Sequence, residues 1–277
     1  MKRIFLILAV AVTGLFLAGC SDLQSEIATP QTLSVHKAGI QDQSSPDFHG
    51  NLVGHIGWDM DGCKSCHGTH YNGGTVGQSC ISCHTYPAGP EACNTCHGIF
   101  ADPSKSAPPR DLQNNTATTF VGVGAHAIHL YDNVTGEKVE CSVCHTIPKT
   151  LKSPGHIDMD GRAEIVFSGL AMKRGEGVDS TVTAMYDPSD NTCANTYCHG
   201  YFKNGNLTNK VKWTDKANCG TCHGDPVTGN PLPGGTHQQN PLFAQNCQWC
   251  HAKTVTGGNG VYSFNKQNHI NGVIDIN

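Results

Sequence analysis

Seven pairs of cysteines, each followed directly by a histidine, constrain the fold of this 277-residue chain more than any other feature. Two residues separate the cysteines in six of the pairs, and four residues separate them in the seventh. The pairs and their histidines are Cys63, Cys66 and His67; Cys80, Cys83 and His84; Cys93, Cys96 and His97; Cys141, Cys144 and His145; Cys193, Cys198 and His199; Cys219, Cys222 and His223; and Cys247, Cys250 and His251. Two thiols about a helical turn apart can add to both vinyl groups of one porphyrin, and the next imidazole then takes an axial position on the iron. The pattern therefore predicts seven covalently bound c-type haems.

Paired cysteines also occur in zinc ribbons and in disulfide frameworks. Neither kind of site requires a histidine directly after each second cysteine, and that position is histidine in all seven pairs. The fifteenth cysteine, Cys20, lies outside the pairs, so no motif cysteine is left over. Haem attachment is therefore the favoured interpretation. For the longer loop from Cys193 to Cys198, an unoccupied site is the alternative.

The nine histidines outside the pairs are candidates for the second axial position on each iron. They are His36, His49, His55, His70, His126, His129, His156, His237 and His269. Nine candidates for seven positions permit bis-histidine ligation of every haem, which favours low reduction potentials. The internal methionines have no recognisable haem context and are interpreted as packing residues: Met60, Met159, Met172 and Met185. His126 and His129 are three residues apart, so on a helix they could serve two adjacent haems.

The composition predicts an irregular fold in which haems supply the core. The chain contains 32 glycines and 14 prolines, and only 7% of its residues are aromatic. Such a chain has weak preferences for helix or strand and offers little apolar surface for burial. We expect a haem-dominated multihaem cytochrome fold of short helices and loops with little β structure. The one clearly apolar run, residues 163–172, predicts a strand or a short helix.

Five segments are predicted along the chain. Residues 1–20 are a lipoprotein signal peptide, because Lys2 and Arg3 precede an apolar stretch too short to span a bilayer, which ends at Leu17-Ala18-Gly19-Cys20. Residues 21–46 are a polar tether. Residues 47–110 form an N-terminal three-haem cluster, residues 111–190 a single-haem middle segment, and residues 191–277 a C-terminal three-haem cluster.

Acyl chains on Cys20 would anchor the exported protein to a membrane without spanning it. A plain secretory signal with an incidental cysteine is the alternative. Ser21 follows Cys20 and no aspartate stands there, which resembles the sorting signal of an outer-membrane lipoprotein. We therefore expect an outer-membrane lipoprotein on either the periplasmic or the cell-surface face.

The charge balance restricts the partners. The formal net charge is −4, and removing Lys2 and Arg3 with the signal peptide reduces the 18 basic residues to 16 against 22 acidic ones, a net charge of −6. Haem propionates would add further negative charge. Nucleic acid is therefore an unfavourable partner, and a cationic or metal-bearing one is expected.

Several segments resemble one family of multihaem cytochromes from metal-reducing bacteria. Cys193–His199, Trp213-Thr214 and Cys219–His223 resemble the paired CxxxxCH…CxxCH module of that family. Further similar stretches are residues 63–74, 90–98, 108–112, 124–129 and 269–272. The resemblance covers most of the mature chain. It implies electron transfer at the outer membrane in extracellular, metal-reducing respiration, with other redox cytochromes or extracellular metal acceptors as partners.

The resemblance also implies which histidines are the second axial ligands of the haem irons. The distal set is His36, His49, His126, His129, His156, His237 and His269. His55 and His70 are left spare, since the place of His70 more often holds aspartate in similar sequences. His36 is the weakest member because it lies near the tether, and His55 is its substitute.

Two functions compete with an electron carrier. A multihaem reductase would keep one iron without a distal ligand, or would have lysine in place of a motif histidine. No motif here has that lysine, and distal histidines are in surplus. A subunit of a cytochrome filament could take a distal histidine from the next subunit. The favoured function is a non-enzymatic electron carrier, for which reduction of metal acceptors would be non-specific.

Overall fold

The computed structural model describes residues 35–106, 110–131, 133–157, 162–235 and 237–273. The predicted signal peptide with Cys20, residues 21–34 of the predicted tether, and Met159 lie outside the described residues. The chain divides into two compact units, Met1–Ile56 and Gly57–Asn277. The boundaries of the predicted three-haem clusters and of the middle segment stay predictions.

In the first unit, the described residues form a series of turns that leads into helix α1, His49–His55. Both the backbone N–H and the Nδ1 of His49 donate to the carbonyl oxygen of Ile40, at 2.8 and 2.9 Å. These two hydrogen bonds fix the start of α1 against the preceding turns.

The helices of the second unit are short. The α-helices are α2 (Lys64–His67), α3 (Cys93–Cys96), α4 (His126–Leu130), α5 (Cys219–His223), α6 (Pro241–Ala244) and α7 (Gln248–His251). Turns of 3-10 helix cover Asp61–Cys63, Cys80–Ser82, Gly89–Glu91, Pro103–Lys105, Cys141–Val143, Gly169–Met172 and Tyr197–His199. Isolated helices of this length are unstable in water, so contacts with the rest of the protein or with bound groups must hold them.

Two small antiparallel sheets supply the β structure of the described residues. Strands β1 (Met185–Asp187), β2 (Thr192–Ala194) and β3 (Lys210–Lys212) form one sheet with β2 in the centre. Strands β4 (Val255–Gly258) and β5 (Val261–Phe264) form a hairpin. Its two-residue turn, Asn259-Gly260, has φ angles of 53° and 80°. An Asn-Gly pair suits this turn because both positions require a positive φ.

Few side chains are buried in this fold. Within the described residues, the buried hydrophobic side chains are Met60, Tyr71, Ala92, Val123, Ala171, Ala194, Tyr201, Leu232 and Val255. Large residues such as Phe120 and Trp249 are exposed, by 47% and 58%. The predicted irregular fold of short helices and loops is confirmed. Within the apolar run 163–172, only Gly169–Met172 forms regular structure, a 3-10 turn.

No helix in the described ranges has the length and apolar character needed to cross a membrane.

In the second unit, the predicted middle segment contacts both predicted three-haem clusters. Lys152 forms an ion pair with Asp59 at 3.0 Å, close to the first motif. On the other side, the Nδ1 of His269 donates to the carbonyl oxygen of Thr135 at 2.7 Å.

Candidate haem sites

The six motifs with the two-residue spacing each contain a helical turn. In four of them the backbone N–H of the histidine donates to the carbonyl oxygen of the first cysteine at 2.9–3.0 Å: His84 to Cys80, His97 to Cys93, His145 to Cys141, and His251 to Cys247. The motifs that end at His67 and His223 lie at helices α2 and α5. This turn is the local geometry that the spacing predicts, because a hydrogen bond across four residues defines the α-helix.

The seventh motif, with four residues between its cysteines, has a different backbone. Cys193 lies in the central strand β2, and Asn195 follows with a φ of 57°. The chain then forms the 3-10 turn Tyr197–His199, in which the N–H of His199 donates to the carbonyl oxygen of Thr196 at 3.1 Å. The two extra residues therefore accommodate a change from strand to turn.

Two asparagines connect this motif to the next one along the chain. The Nδ2 of Asn209 donates to the carbonyl oxygens of His199 and Thr221, at 2.9 and 2.7 Å. The Nδ2 of Asn206 donates to the carbonyl oxygens of Gly220 and Thr221, at 2.7 and 3.0 Å. Residues 193–223 therefore form one structural unit, which we call the two-motif module.

Three motif histidines lie opposite histidines of the predicted distal set. The pairs, with the distances between their ring centroids, are His97 with His156 at 6.2 Å, His145 with His126 at 6.3 Å, and His199 with His129 at 5.9 Å. In the same order, the ring planes are inclined by 31°, 20° and 76°. Each pair thus combines one motif histidine with one from a different part of the chain.

These distances fit a metal ion between the two rings. A bond from a metal to an imidazole nitrogen is about 2 Å long, and roughly 1 Å separates that nitrogen from the ring centre, so two axial rings lie about 6 Å apart. Haem iron binds one axial ligand on each face of the porphyrin. The residues at the three pairs therefore fit a bis-histidine haem.

His269, another member of the predicted distal set, is half-buried and held by several contacts. Burial lowers the pKa of His269; its hydrogen bond to Thr135 opposes this effect, and the nearby His223 lowers the pKa further. The ring of His269 also lies against Phe264, with centroids 4.8 Å apart. The hydrogen bond and the ring contact therefore hold His269 in one orientation.

Burial also keeps four of these rings uncharged. It lowers the pKa of both His126 and His199 to about 4, and it lowers the pKa of His97 and His129. Removing an imidazole from water disfavours its charged form. These rings are therefore neutral at neutral pH, which is the form that binds a metal.

In many of the predicted ligands, the Nδ1 atom of the imidazole is held by a hydrogen bond to a backbone carbonyl oxygen. Within the described residues, Nδ1 donates to a carbonyl oxygen at 2.7–3.1 Å in His49, His67, His126, His129, His145, His156, His223, His237 and His269. This bond places the proton on Nδ1 and leaves the lone pair of Nε2 for a metal. His199 differs, because its Nδ1 is buried without a hydrogen-bond partner among the described residues.

Exposure divides the nine histidines outside the motifs into two groups. His49, His126, His129, His156, His237 and His269 are half-buried, and all make the Nδ1 bond. His36, His55 and His70 are exposed. The exposed group thus contains both histidines predicted to be spare, together with the weakest member of the predicted distal set.

Within the described residues, the fourteen motif cysteines form no disulfide with one another. Burial raises the pKa of Cys144 and Cys222 to about 11, and that of Cys193 and Cys198 to about 12. These thiols are therefore uncharged at neutral pH. Across the described ranges, no group of three or more His, Cys, Asp or Glu side chains is arranged to hold a metal ion by itself.

Sequence reasoning missed the residues that support the two-motif module. Asn206 and Asn209 matched no pattern, although the asparagine-rich loop between the motifs was a usable signal. Trp213 entered only through the family resemblance, with no role assigned. Its indole lies against the rings of His126 and His129, with centroid distances of 4.8 and 5.7 Å.

The motifs and the paired imidazoles define the class of the protein as a multihaem c-type cytochrome, a class that transfers electrons. More particularly, residues 192–223 match the family described as the Geobacter CxxxxCH...CXXCH motif. This match confirms the predicted resemblance over the two-motif module. No curated protein and no solved structure matches the chain.

Proposed function

We propose that this protein is a heptahaem cytochrome lipoprotein that relays electrons at the bacterial outer membrane, in extracellular respiration with metal acceptors. The observation that carries the proposal is the pairing of motif histidines with other histidines at 5.9–6.3 Å, the separation expected across an iron. When bound, each haem supplies a one-electron redox centre.

Ring contacts support three of the proposed ligand pairs, and the effect of His223 on the pKa of His269 supports a fourth. We assign His156, His126, His129 and His269 as distal ligands to the sites of His97, His145, His199 and His223. The other members of the proposed distal set are His36, His49 and His237.

A relay is favoured by how densely the sites are packed. The 257 residues after Cys20 give about 37 residues for each of the seven motifs, so every site has close neighbours. His126 and His129 stand three residues apart on α4 and serve different irons, which brings two of the sites together. The middle segment supplies ligands to sites in both predicted three-haem clusters.

Haem number and ligation can be tested on the exported protein. Intact mass is expected to equal the chain plus seven haems, and the Cys193→Ala/Cys198→Ala variant is expected to carry six. Six haems in the unmodified protein would contradict the heptahaem assignment and would identify the Cys193 site as unoccupied. In the same preparation, carbon monoxide added to the reduced protein is expected to leave the spectrum unchanged, since every iron has two imidazoles.

The carbon monoxide result also separates the carrier from a reductase. A reductase needs an iron that a substrate can reach, so a spectral shift at one of the seven haems would favour that alternative. A filament subunit would borrow a ligand from the next subunit, and the three ring pairs above do not need one, since both members of each belong to one chain.

The location is proposed from the sequence. The Cys20 lipid anchor would hold the protein at the outer membrane, and a mature net charge of −6 favours cationic or metal-bearing partners over nucleic acid. Protease treatment of intact cells, followed by haem-stained gels, is expected to remove the haem band if the protein lies on the cell surface. Survival of the band, with its loss after the outer membrane is opened, would contradict the surface location and favour the periplasmic face.

A further inference from the structure

Trp213 is held at a fixed position beside the two-motif module's sheet. It directly follows strand β3, and its backbone N–H donates to the carbonyl oxygen of Asn191 at 2.7 Å. Asn191 directly precedes strand β2, which carries Cys193. The sheet that holds a haem-attachment cysteine therefore also holds the indole.

The indole contacts two predicted ligands at once. Its ring is stacked on His129, with a centroid distance of 5.7 Å and an angle of 19° between the planes. It meets His126 edge-on, with a centroid distance of 4.8 Å and an angle of 87°. Its Nε1 donates to the carbonyl oxygen of Val121 at 2.8 Å. Two ring contacts therefore hold helix α4 against the indole, and the hydrogen bond holds the segment that precedes the helix.

The backbone that leads into α4 is shaped to receive this ring. Gly124 is buried and has a φ of 42°, and a Cβ at this position would collide with the Nε1 of Trp213. Glycine is thus required both by the conformation and by the close approach of the indole.

The ring contacts that Trp213 makes within the described residues are with these two histidines, and the side chain is only half-buried. An ordinary core tryptophan would be expected to bury most of its surface among apolar neighbours. We propose that Trp213 is a positioning residue that fixes the ring planes of His126 and His129 opposite their motif histidines. The inference rests on the proposed function. The two-motif module would then orient His129, the proposed distal ligand at its His199 site, although His129 lies outside the module on helix α4.

Ring orientation can be measured separately from electron-transfer activity. In a low-spin ferric haem, the g-values depend on the angle between the two axial imidazole planes. The planes are 20° apart for His126 and His145, and 76° apart for His129 and His199. Loss of the indole removes the ring contacts and leaves only the Nδ1 hydrogen bonds to Val123 and Ala125 to hold the two distal rings. The ring planes should therefore turn, and these two sites should change their resonance signals and midpoint potentials.

The experiment compares the haem-loaded protein with its Trp213→Ala and Gly124→Ala variants by electron paramagnetic resonance during a redox titration. The variants His126→Ala and His129→Ala first identify the signals of the two sites. Both test variants are expected to shift those two signals and to leave the other five of the seven in place. Trp58→Ala serves as the control, because this tryptophan makes no ring contact with a histidine in the described part of the chain.

Two further measurements separate positioning from general damage. Trp213→Phe keeps an aromatic ring but loses the Nε1 donor, so it is expected to retain most of the two signals. Unchanged signals in both Trp213→Ala and Gly124→Ala, or a shift of all seven, would overturn the inference. In either case a haem count of seven with bis-histidine spectra would leave the proposed function standing. Failure of that function would instead show as missing bis-histidine signals in the unmodified protein.

Discussion

Without its haems the chain is expected to show no cooperative unfolding transition, a loss of the whole folding free energy, on the order of 5–15 kcal/mol for a domain. The described residues bury nine hydrophobic side chains, and three of these are alanines. Ile81 and Trp249, which stand between the cysteines of their own motifs, are exposed by 44% and 58%. Since side chains do not form a sufficient core, covalently bound haems must supply the missing apolar surface.

Two preparations test this expectation, because cysteine replacement alone could disturb the fold. One is a variant with all fourteen motif cysteines changed to alanine. The other is the unmodified sequence, produced under reducing conditions in cells that lack haem attachment. Hydrogen exchange and thermal circular dichroism are expected to show unprotected amides and no cooperative melting in both. The single-site variant Cys193→Ala/Cys198→Ala is the control and keeps its transition. Slow exchange in strands β1–β3 of both haem-free proteins would contradict the expectation.

The spacing of the motifs predicted local structure well where the structure depends on neighbouring residues. A two-residue gap between cysteines predicts a helical turn, and such turns are present at the motifs of Cys80, Cys93, Cys141 and Cys247. The strand at Cys193 could not be predicted in this way. Strand β2 has only three residues and no detectable periodicity, and it forms because Met185–Asp187 and Lys210–Lys212 pair with it.

The distal ligands likewise could be predicted only as far as local sequence patterns allow. The three-residue spacing of His126 and His129 predicted that they could serve two sites, and the structure places their rings opposite His145 and His199. Which motif histidine each one meets depends on how distant segments cross, and no local pattern contains that information. For the same reason the sequence could not show that Trp213 lies between α4 and the sheet.

Replacement of His156 by methionine is expected to raise the midpoint potential of one haem by on the order of 0.1–0.3 V, within the roughly 0.8 V range that axial ligands span. A methionine thioether in place of imidazole raises the potential of a haem. The ring of His156 lies 6.2 Å from that of His97, and its Nδ1 donates to the carbonyl oxygen of Leu151 at 2.9 Å, which orients Nε2 as a ligand. A redox titration followed by optical spectroscopy measures the change.

His70→Met is the matched control, because His70 is exposed and is predicted to be spare. It is expected to leave all seven potentials unchanged. A second replacement, His156→Ala, distinguishes ligand exchange from an indirect effect on the fold. It should let one carbon monoxide bind per reduced protein, whereas His70→Ala should let none bind. If His156→Met left every potential in place and His156→Ala bound no carbon monoxide, the contact between His156 and His97 would be packing, and another histidine would have to complete that site. A single raised potential together with binding of a single carbon monoxide would instead assign His156 as a ligand of one iron. The same two replacements at His126, His129 and His269 would then test the other proposed pairs one site at a time.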